Sequence, residues 1–123
     1  MPIPKPRERF DAEQPAQFKE LPGTLGVFEI GDADGNIIRI GKADPRVTFR
    51  LRQAIAEQFR SPAPSAEIAR NFRYEVTSNY HYSRWIDLLT RYHEDHDALP
   101  AGSVAEKDDL PHLGRFRWKL PAN

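Results

Sequence analysis

Two short apolar runs around an Asp-Gly pair constrain the fold of this chain more than any other feature. Residues 24–31 and 36–41 are rich in β-branched and other apolar side chains, and Asp34-Gly35 lies between them. An Asp-Gly pair between two such runs is a strong short-range signal for a β-hairpin. Because residues 31–35 make a loop longer than two residues, we expect a bulge or a wider loop.

The side chains of Asp32, Asp34 and Asn36 in this loop allow two interpretations. Asp32, Asp34 and Asn36 have the spacing that opens a calcium-binding loop. The residue at position 12 counted from Asp32, where such a loop needs a glutamate, is Ala43. We therefore expect these side chains to stabilise the turn.

Further along the chain, the pattern predicts helices and one more strand. Asp44-Pro45 is a helix-start signal, and apolar residues at helical spacing continue to about Arg60. A short helix is predicted from Ser65 to Arg70, a half-buried strand over 72–76, and the longest helix from Asn79 to about His96. The predicted fold is of α+β class, with a small three-stranded, mainly antiparallel sheet flanked by helices in the order β-β-α-α-β-α.

The domain organisation follows from composition. Residues 1–21 are rich in proline and have no apolar period, which predicts an N-terminal arm. Residues 22–100 form the predicted domain. Residues 101–123 are an acidic loop followed by a tail of alternating basic and aromatic or apolar residues, which is either an added edge strand or a mobile arm.

Composition also restricts the class of protein. The 123 residues include no cysteine, which excludes disulfides and thiolate metal sites. There is no apolar run of the roughly 20 residues that a membrane span needs, nor the apolar core of a signal peptide, so a cytoplasmic protein is expected. Net charge is zero, but residues 39–60 carry six basic and two acidic residues. This segment either attracts an anion or is a solvated helix face.

The hairpin residues resemble the signature of GIY-YIG nucleases. Gly26-Val27-Phe28 stands at the family's Gly-Ile-Tyr, Arg39-Ile40-Gly41 stands at Tyr-Ile-Gly, and Lys42-Ala43 continues the pattern. Allowing for a one-residue insertion, Arg50 matches the family's helix arginine. The resemblance covers roughly residues 23–93 and implies the same order of strands and helices.

Three positions depart from what the resemblance implies for catalysis. Family members cut phosphodiesters with hairpin tyrosines, an arginine and a metal-binding glutamate on a later helix. Here Phe28 has no hydroxyl, Arg39 replaces a tyrosine, and Trp85 takes the position of the glutamate. Asp87 is two residues further along, about 200° around the helix, so it lies on a different face.

We therefore expect a catalytically degenerate GIY-YIG-like domain that acts as a nucleic-acid (phosphate) binding or interaction module. Arg39, Lys42, Arg46 and Arg50 are the expected phosphate contacts, and Tyr80, Tyr82 and Trp85 could stack on bases or pack in the core. The expected partner is DNA or RNA, with a protein or a second copy of the chain as the alternative and no membrane. No cofactor and no metal site are predicted.

Two other functions stay open. One is an active endonuclease with a rearranged site, in which Arg50 acts with Glu29, Glu75 or Asp87 and with Mg²⁺ or Mn²⁺. The other is an unrelated small α+β protein-interaction domain. For His93 and His96, which lack the spacing of a zinc-protease helix, we expect a solvated helix end.

Overall fold

The computed structural model describes residues 3, 8–9, 21, 23–43, 50–59, 68–77, 80–111 and 116–121. Its strands are β1 (Glu8–Arg9), β2 (Gly26–Gly31), β3 (Ile37–Lys42) and β4 (Asn71–Val76). They form one antiparallel sheet in the order β1-β4-β2-β3. The predicted α+β fold is confirmed, with its three longer strands joined at one edge by the two-residue β1.

The hairpin turn between β2 and β3 uses its first aspartate as predicted. The Oδ1 atom of Asp32 accepts the backbone N–H groups of Asp34 and Asn36 at 3.0 and 2.9 Å. The pairing register of the two strands shifts between Ile30 and Gly31, which is the expected irregularity. The carboxylate of Asp32 thus satisfies backbone donors and stabilises the turn.

Two helices cover opposite faces of the sheet. Helix α1 (Arg50–Glu57) buries Leu51 and Ile55 against the face that carries Phe28 and Phe72. Helix α2 (His81–His96) covers the other face, and its buried residues pack against Val27 and Ile40. Because side chains alternate along a strand, β2 supplies both cores: Phe28 and Ile30 point to α1, and Val27 points to α2.

The segment expected to be an N-terminal arm contributes to the fold. Ile3 and Leu21 are buried, and residues 8–9 pair with β4. An isolated apolar residue among prolines has no periodicity, so the sequence pattern does not reveal such contacts. The predicted helix start at Asp44-Pro45 and most of the predicted short helix from Ser65 lie outside the described residues. Helix α1 ends at Glu57, before the predicted end near Arg60. No described helix has the length and apolar content that a membrane span requires.

Beyond α2 the chain covers the outer edge of β3. Residues Ala101–Asp109 form a 3₁₀ helix in place of the expected loop. The Oγ atom of Ser103 accepts the N–H of Ile40 at 3.0 Å and lies 3.3 Å from the carbonyl oxygen of the same residue. In the tail, Lys119 O accepts the N–H of Leu99 at 2.8 Å, so the alternating segment packs on the domain.

Candidate functional site

The motif residues of the hairpin are packing residues in this fold. Phe28 is 1% exposed and lies directly opposite Gly41 on β3. A Cβ atom at Gly41 would collide with the Phe28 ring, and one at Gly26 would collide with the carbonyl oxygen of Glu75. The two glycines are therefore required because ring and backbone approach them too closely for any side chain.

Trp85, at the position matched to the catalytic glutamate, is fully buried. Its indole N–H donates to the carbonyl oxygen of Ile40 at 3.0 Å, so the helix is joined to the β3 motif. The Nζ atom of Lys42 lies 4.7 Å from the centre of the Trp85 ring, within the range of a cation–π contact. The Trp85 ring thus joins α2 to β3 and contacts the ammonium group of Lys42.

Two of the basic residues predicted to bind phosphate lie on opposite faces of the sheet. Lys42 faces α2, whereas Arg39, three residues earlier, is at a register position of the opposite face and lies beside Gly102. Arg50 is exposed at the first residue of α1, with a φ of 31°. Arg46 lies outside the described residues. Alternation along β3 prevents Arg39 and Lys42 from sharing one face.

Exposed tyrosines lie at the amino end of α2, near the Trp85 ring that Lys42 contacts. Tyr82 is 43% exposed and its ring centre lies 5.7 Å from that of Trp85. Its hydroxyl donates to the carbonyl oxygen of Asp109 at 3.1 Å, which fixes the ring. Tyr80, the residue before the helix, is 52% exposed and provides no side-chain cap. We call Lys42, Tyr80, Tyr82 and Trp85 the lysine–tyrosine cluster.

The first turn of α2 has the electrostatics of an anion-binding helix end. It contains no acidic residue, so nothing in that turn neutralises the positive end of the helix dipole. Thr77 Oγ1 and His81 Nδ1, on either side of Tyr80, are buried atoms with no hydrogen-bond partner among the described residues. Unpartnered buried polar atoms are uncommon and need an explanation.

The carboxylates considered for a rearranged nuclease site are held by arginines. Glu29, whose side chain is 5% exposed, is ion-paired with Arg73 across the sheet. Arg84 binds Glu75 at 2.8 Å and Asp87 at 2.6 Å. The hydrogen bond that Arg84 donates to Glu75 raises the pKa of Arg84 against the opposing effect of burial, and Asp87 adds to the rise. Within the described ranges there is no group of three or more His, Cys, Asp or Glu residues suited to a metal ion.

A cleft of about 140 Å³ lies between the sheet and the carboxy-terminal half of α2. Ile37, Ile40 and Leu88 form its apolar wall. Its polar lining comes from the Glu29–Arg73 pair and from the α2 side chains Arg91, Tyr92, Asp95 and His96. Tyr92 and His96 are stacked with ring centres 4.1 Å apart, and burial raises the pKa of Tyr92. Sequence reasoning missed this cleft because its lining comes from three strands and a helix that are distant in sequence.

The expectation of a solvated helix end is wrong for His93. This residue is 6% exposed, and its Nε2 atom accepts the backbone N–H of Lys119 at 2.8 Å. The rings of Phe116 and Trp118 contact the imidazole edge-on at 4.9 and 5.7 Å. The alternating aromatic residues of the tail were the available signal, since such residues need an apolar surface to cover.

These features define a small α+β domain in which a lysine at the end of β3 and an exposed tyrosine of α2 contact the same buried tryptophan. The family model described as "Domain of unknown function (DUF7508)" matches residues 1–96, and the chain belongs to this family. No curated protein matches the chain. The matched residues include all described strands and both α-helices, so the lysine–tyrosine cluster and the cleft lie within the family domain.

Proposed function

We propose that this protein is a catalytically degenerate GIY-YIG-like domain that binds single-stranded nucleic acid without cutting it. The observation that carries the proposal is the contact of Lys42 with Trp85, at the position where the resembled nucleases keep their glutamate. A carboxylate there would hold a metal ion. The buried indole holds an ammonium group instead, which changes the charge preference of the position from cations to anions.

The neighbouring groups support a nucleic-acid strand as the anion. Lys42 and the amino end of α2 supply positive charge for phosphates. Tyr80 and Tyr82 are exposed large rings, and bases stack on such rings in single strands, where their faces are accessible. Lys42 and Tyr82 contact the same Trp85 ring, so one strand can meet charge and stacking within a few ångströms.

The packing of the motif supports the proposed loss of cutting. Phe28 is enclosed against Gly41 and supplies no hydroxyl that could orient a water molecule. The nearby carboxylates Glu29, Glu75 and Asp87 are each ion-paired to an arginine. Recruiting one of them as a metal ligand would leave its arginine without that partner, at a cost that is largest for the buried Glu29.

The test is fluorescence anisotropy with a labelled single-stranded oligonucleotide over a range of salt concentrations. We expect log K to fall with log salt, and Lys42→Ala to reduce the magnitude of the slope by about 0.7, the value for one phosphate contact on a single strand. Arg117→Ala is the matched control, because it removes one exposed cation from the tail. Equal slopes for the two variants, or no binding at low salt, would overturn the proposal.

Stacking is tested by a pair of substitutions at Tyr82. Tyr82→Ala should weaken binding about 5- to 100-fold, the loss of one base–aromatic stack. Tyr82→Phe keeps the ring and removes only the hydroxyl that bonds Asp109 O, so it should bind nearly as well as the unchanged chain. If both variants lose the same affinity, the ring has a structural role and does not contact bases.

A further inference from the structure

We infer that the cleft between the sheet and the carboxy-terminal half of α2 binds one unstacked base of the cytosine type. This inference deepens the function proposed above and rests on it, because it names the base that a bound strand would place in the cleft. Four features of the cleft support it: its size, its aromatic lining, its charged lining residues and its position beside Lys42.

The size of the cleft fits a single ring. Its volume is about 140 Å³. An apolar cavity of about 150 Å³ is known to admit benzene, and typical drug-sized sites are two or more times larger. The volume of the cleft therefore matches that of a single pyrimidine ring.

The walls of the cleft suit a flat heterocycle. Its apolar lining consists of Ile37, Ile40 and Leu88. The lining also includes the stacked pair Tyr92 and His96, whose ring planes differ by 26°. Single-stranded bases are commonly held by stacking on Tyr and His rings, so we place the base against this pair.

The charged lining residues Glu29 and Arg73 supply hydrogen-bonding groups. Glu29, when ionised, only accepts hydrogen bonds, and Arg73 only donates them. Side by side on β2 and β4, they present an acceptor next to donors. Cytosine has an amino donor next to acceptor atoms, which complements this pattern. Uracil has a carbonyl oxygen in place of the amino group, and this oxygen would face the Glu29 carboxylate.

The cleft is also adjacent to the lysine–tyrosine cluster. Ile40 lines the cleft, and Lys42 follows two residues later on the same face of β3, a distance of about 7 Å. On α2, Leu88 lines the cleft one turn after Trp85. A strand whose phosphate meets Lys42 can therefore place its base in the cleft.

The test uses nucleosides, which carry no phosphate. Cytidine and uridine are titrated into the ¹⁵N-labelled full chain and followed by NMR. We expect cytidine to shift amides of residues 88–96 and of β3 with a dissociation constant on the order of 1 mM, because a ligand of this size gains only a few kcal/mol of binding free energy. Uridine should bind at least about tenfold more weakly, because its carbonyl meets a buried carboxylate.

Two variants separate stacking from edge recognition. His96→Ala should lower cytidine affinity about tenfold and leave the cytidine-to-uridine ratio unchanged. The control is Glu94→Ala, an exposed residue of the same helical turn that does not line the cleft. Glu29→Gln introduces a group that both donates and accepts hydrogen bonds, so the ratio of cytidine affinity to uridine affinity should fall toward one. If Glu29→Gln does not fold, the His96 and Glu94 comparison still tests the site.

Either of two results would overturn the inference: no shift at about 10 mM cytidine, tenfold above the expected constant, or equal binding of the two nucleosides. Either result would contradict the inference about the cleft but not the proposed binding of phosphate by Lys42. Conversely, binding of cytidine without any binding of oligonucleotides would contradict the proposed function but not the inference that the cleft binds a pyrimidine.

Discussion

Replacing Ser103 by alanine should destabilise the domain by leaving one buried backbone N–H group without a hydrogen-bond acceptor. Ser103 is 2% exposed, and its hydroxyl accepts the N–H of Ile40 at 3.0 Å on the outer edge of β3. Ser103→Ala removes this acceptor. The space left by one oxygen atom in a buried place is too small for a water molecule to replace it. The carbonyl oxygen of Ile40 keeps the indole N–H of Trp85 at 3.0 Å. Only the N–H loses its partner.

The size of the effect follows from that one group. A buried donor left without a partner costs about 1–3 kcal/mol. At about 2.1 cal/mol/K per residue, the entropy of unfolding of 123 residues is about 0.26 kcal/mol/K. The expected decrease in Tm is therefore about 4–12 °C.

Urea unfolding and calorimetry measure the loss, and amide hydrogen exchange locates it. The amide of Ile40 should be protected in the unchanged chain and exchange faster in Ser103→Ala. The control is Ser83→Ala, an exposed serine on α2, which should change the free energy of unfolding by less than about 0.5 kcal/mol. If the two alanine variants are equally stable, the 3₁₀ helix does not satisfy the edge of β3 and the reasoning fails.

Three further predictions concern packing, the tail and pH. Gly41→Ala should cost about 1–3 kcal/mol in urea unfolding because its Cβ meets the Phe28 ring, and adding Phe28→Leu should restore part of the loss. His93→Phe keeps an aromatic ring but removes the acceptor for the Lys119 N–H, so limited proteolysis should cut residues 116–121 faster, and equal rates would contradict the tail contact. Burial raises the pKa of Tyr92, so as the pH rises the unfolded chain loses the phenolic proton before the folded chain does. The free energy of unfolding should therefore fall above about pH 10. Absorbance titration should show a tyrosine that ionises late, and Tyr92→Phe should remove this signal.

The local parts of this fold are readable from the sequence. The hairpin, β4 and α2 are predicted within two residues of their observed bounds, because alternation, helical periodicity and the Asp-Gly turn act over short segments. Phe28, Gly41 and Trp85 are singled out by the expected GIY-YIG resemblance, which stays a prediction, and the structure shows that all three are buried. The apolar stripe on α2 already favoured packing for Trp85.

The candidate site is less readable because it depends on which residues meet across the fold. The sequence groups Arg39, Lys42 and Arg50 as one basic segment, but strand alternation places Arg39 and Lys42 on opposite faces of β3. The pairing of Glu29 with Arg73 joins residues 44 positions apart. The contact of His93 with the tail likewise spans 26 positions. No local pattern encodes such contacts, since each depends on the packing of several elements at once.

The central claim is that this domain binds a nucleic-acid strand and leaves it intact. It is tested most directly by incubating the full chain with a labelled single strand and Mg²⁺ or Mn²⁺, and reading anisotropy and strand length in the same sample. The account predicts increased anisotropy at low salt, reduced in Lys42→Ala, with a strand of unchanged length. Shortened strands that require Arg50, as shown by their loss in Arg50→Ala, would contradict it and assign the protein to the active nucleases.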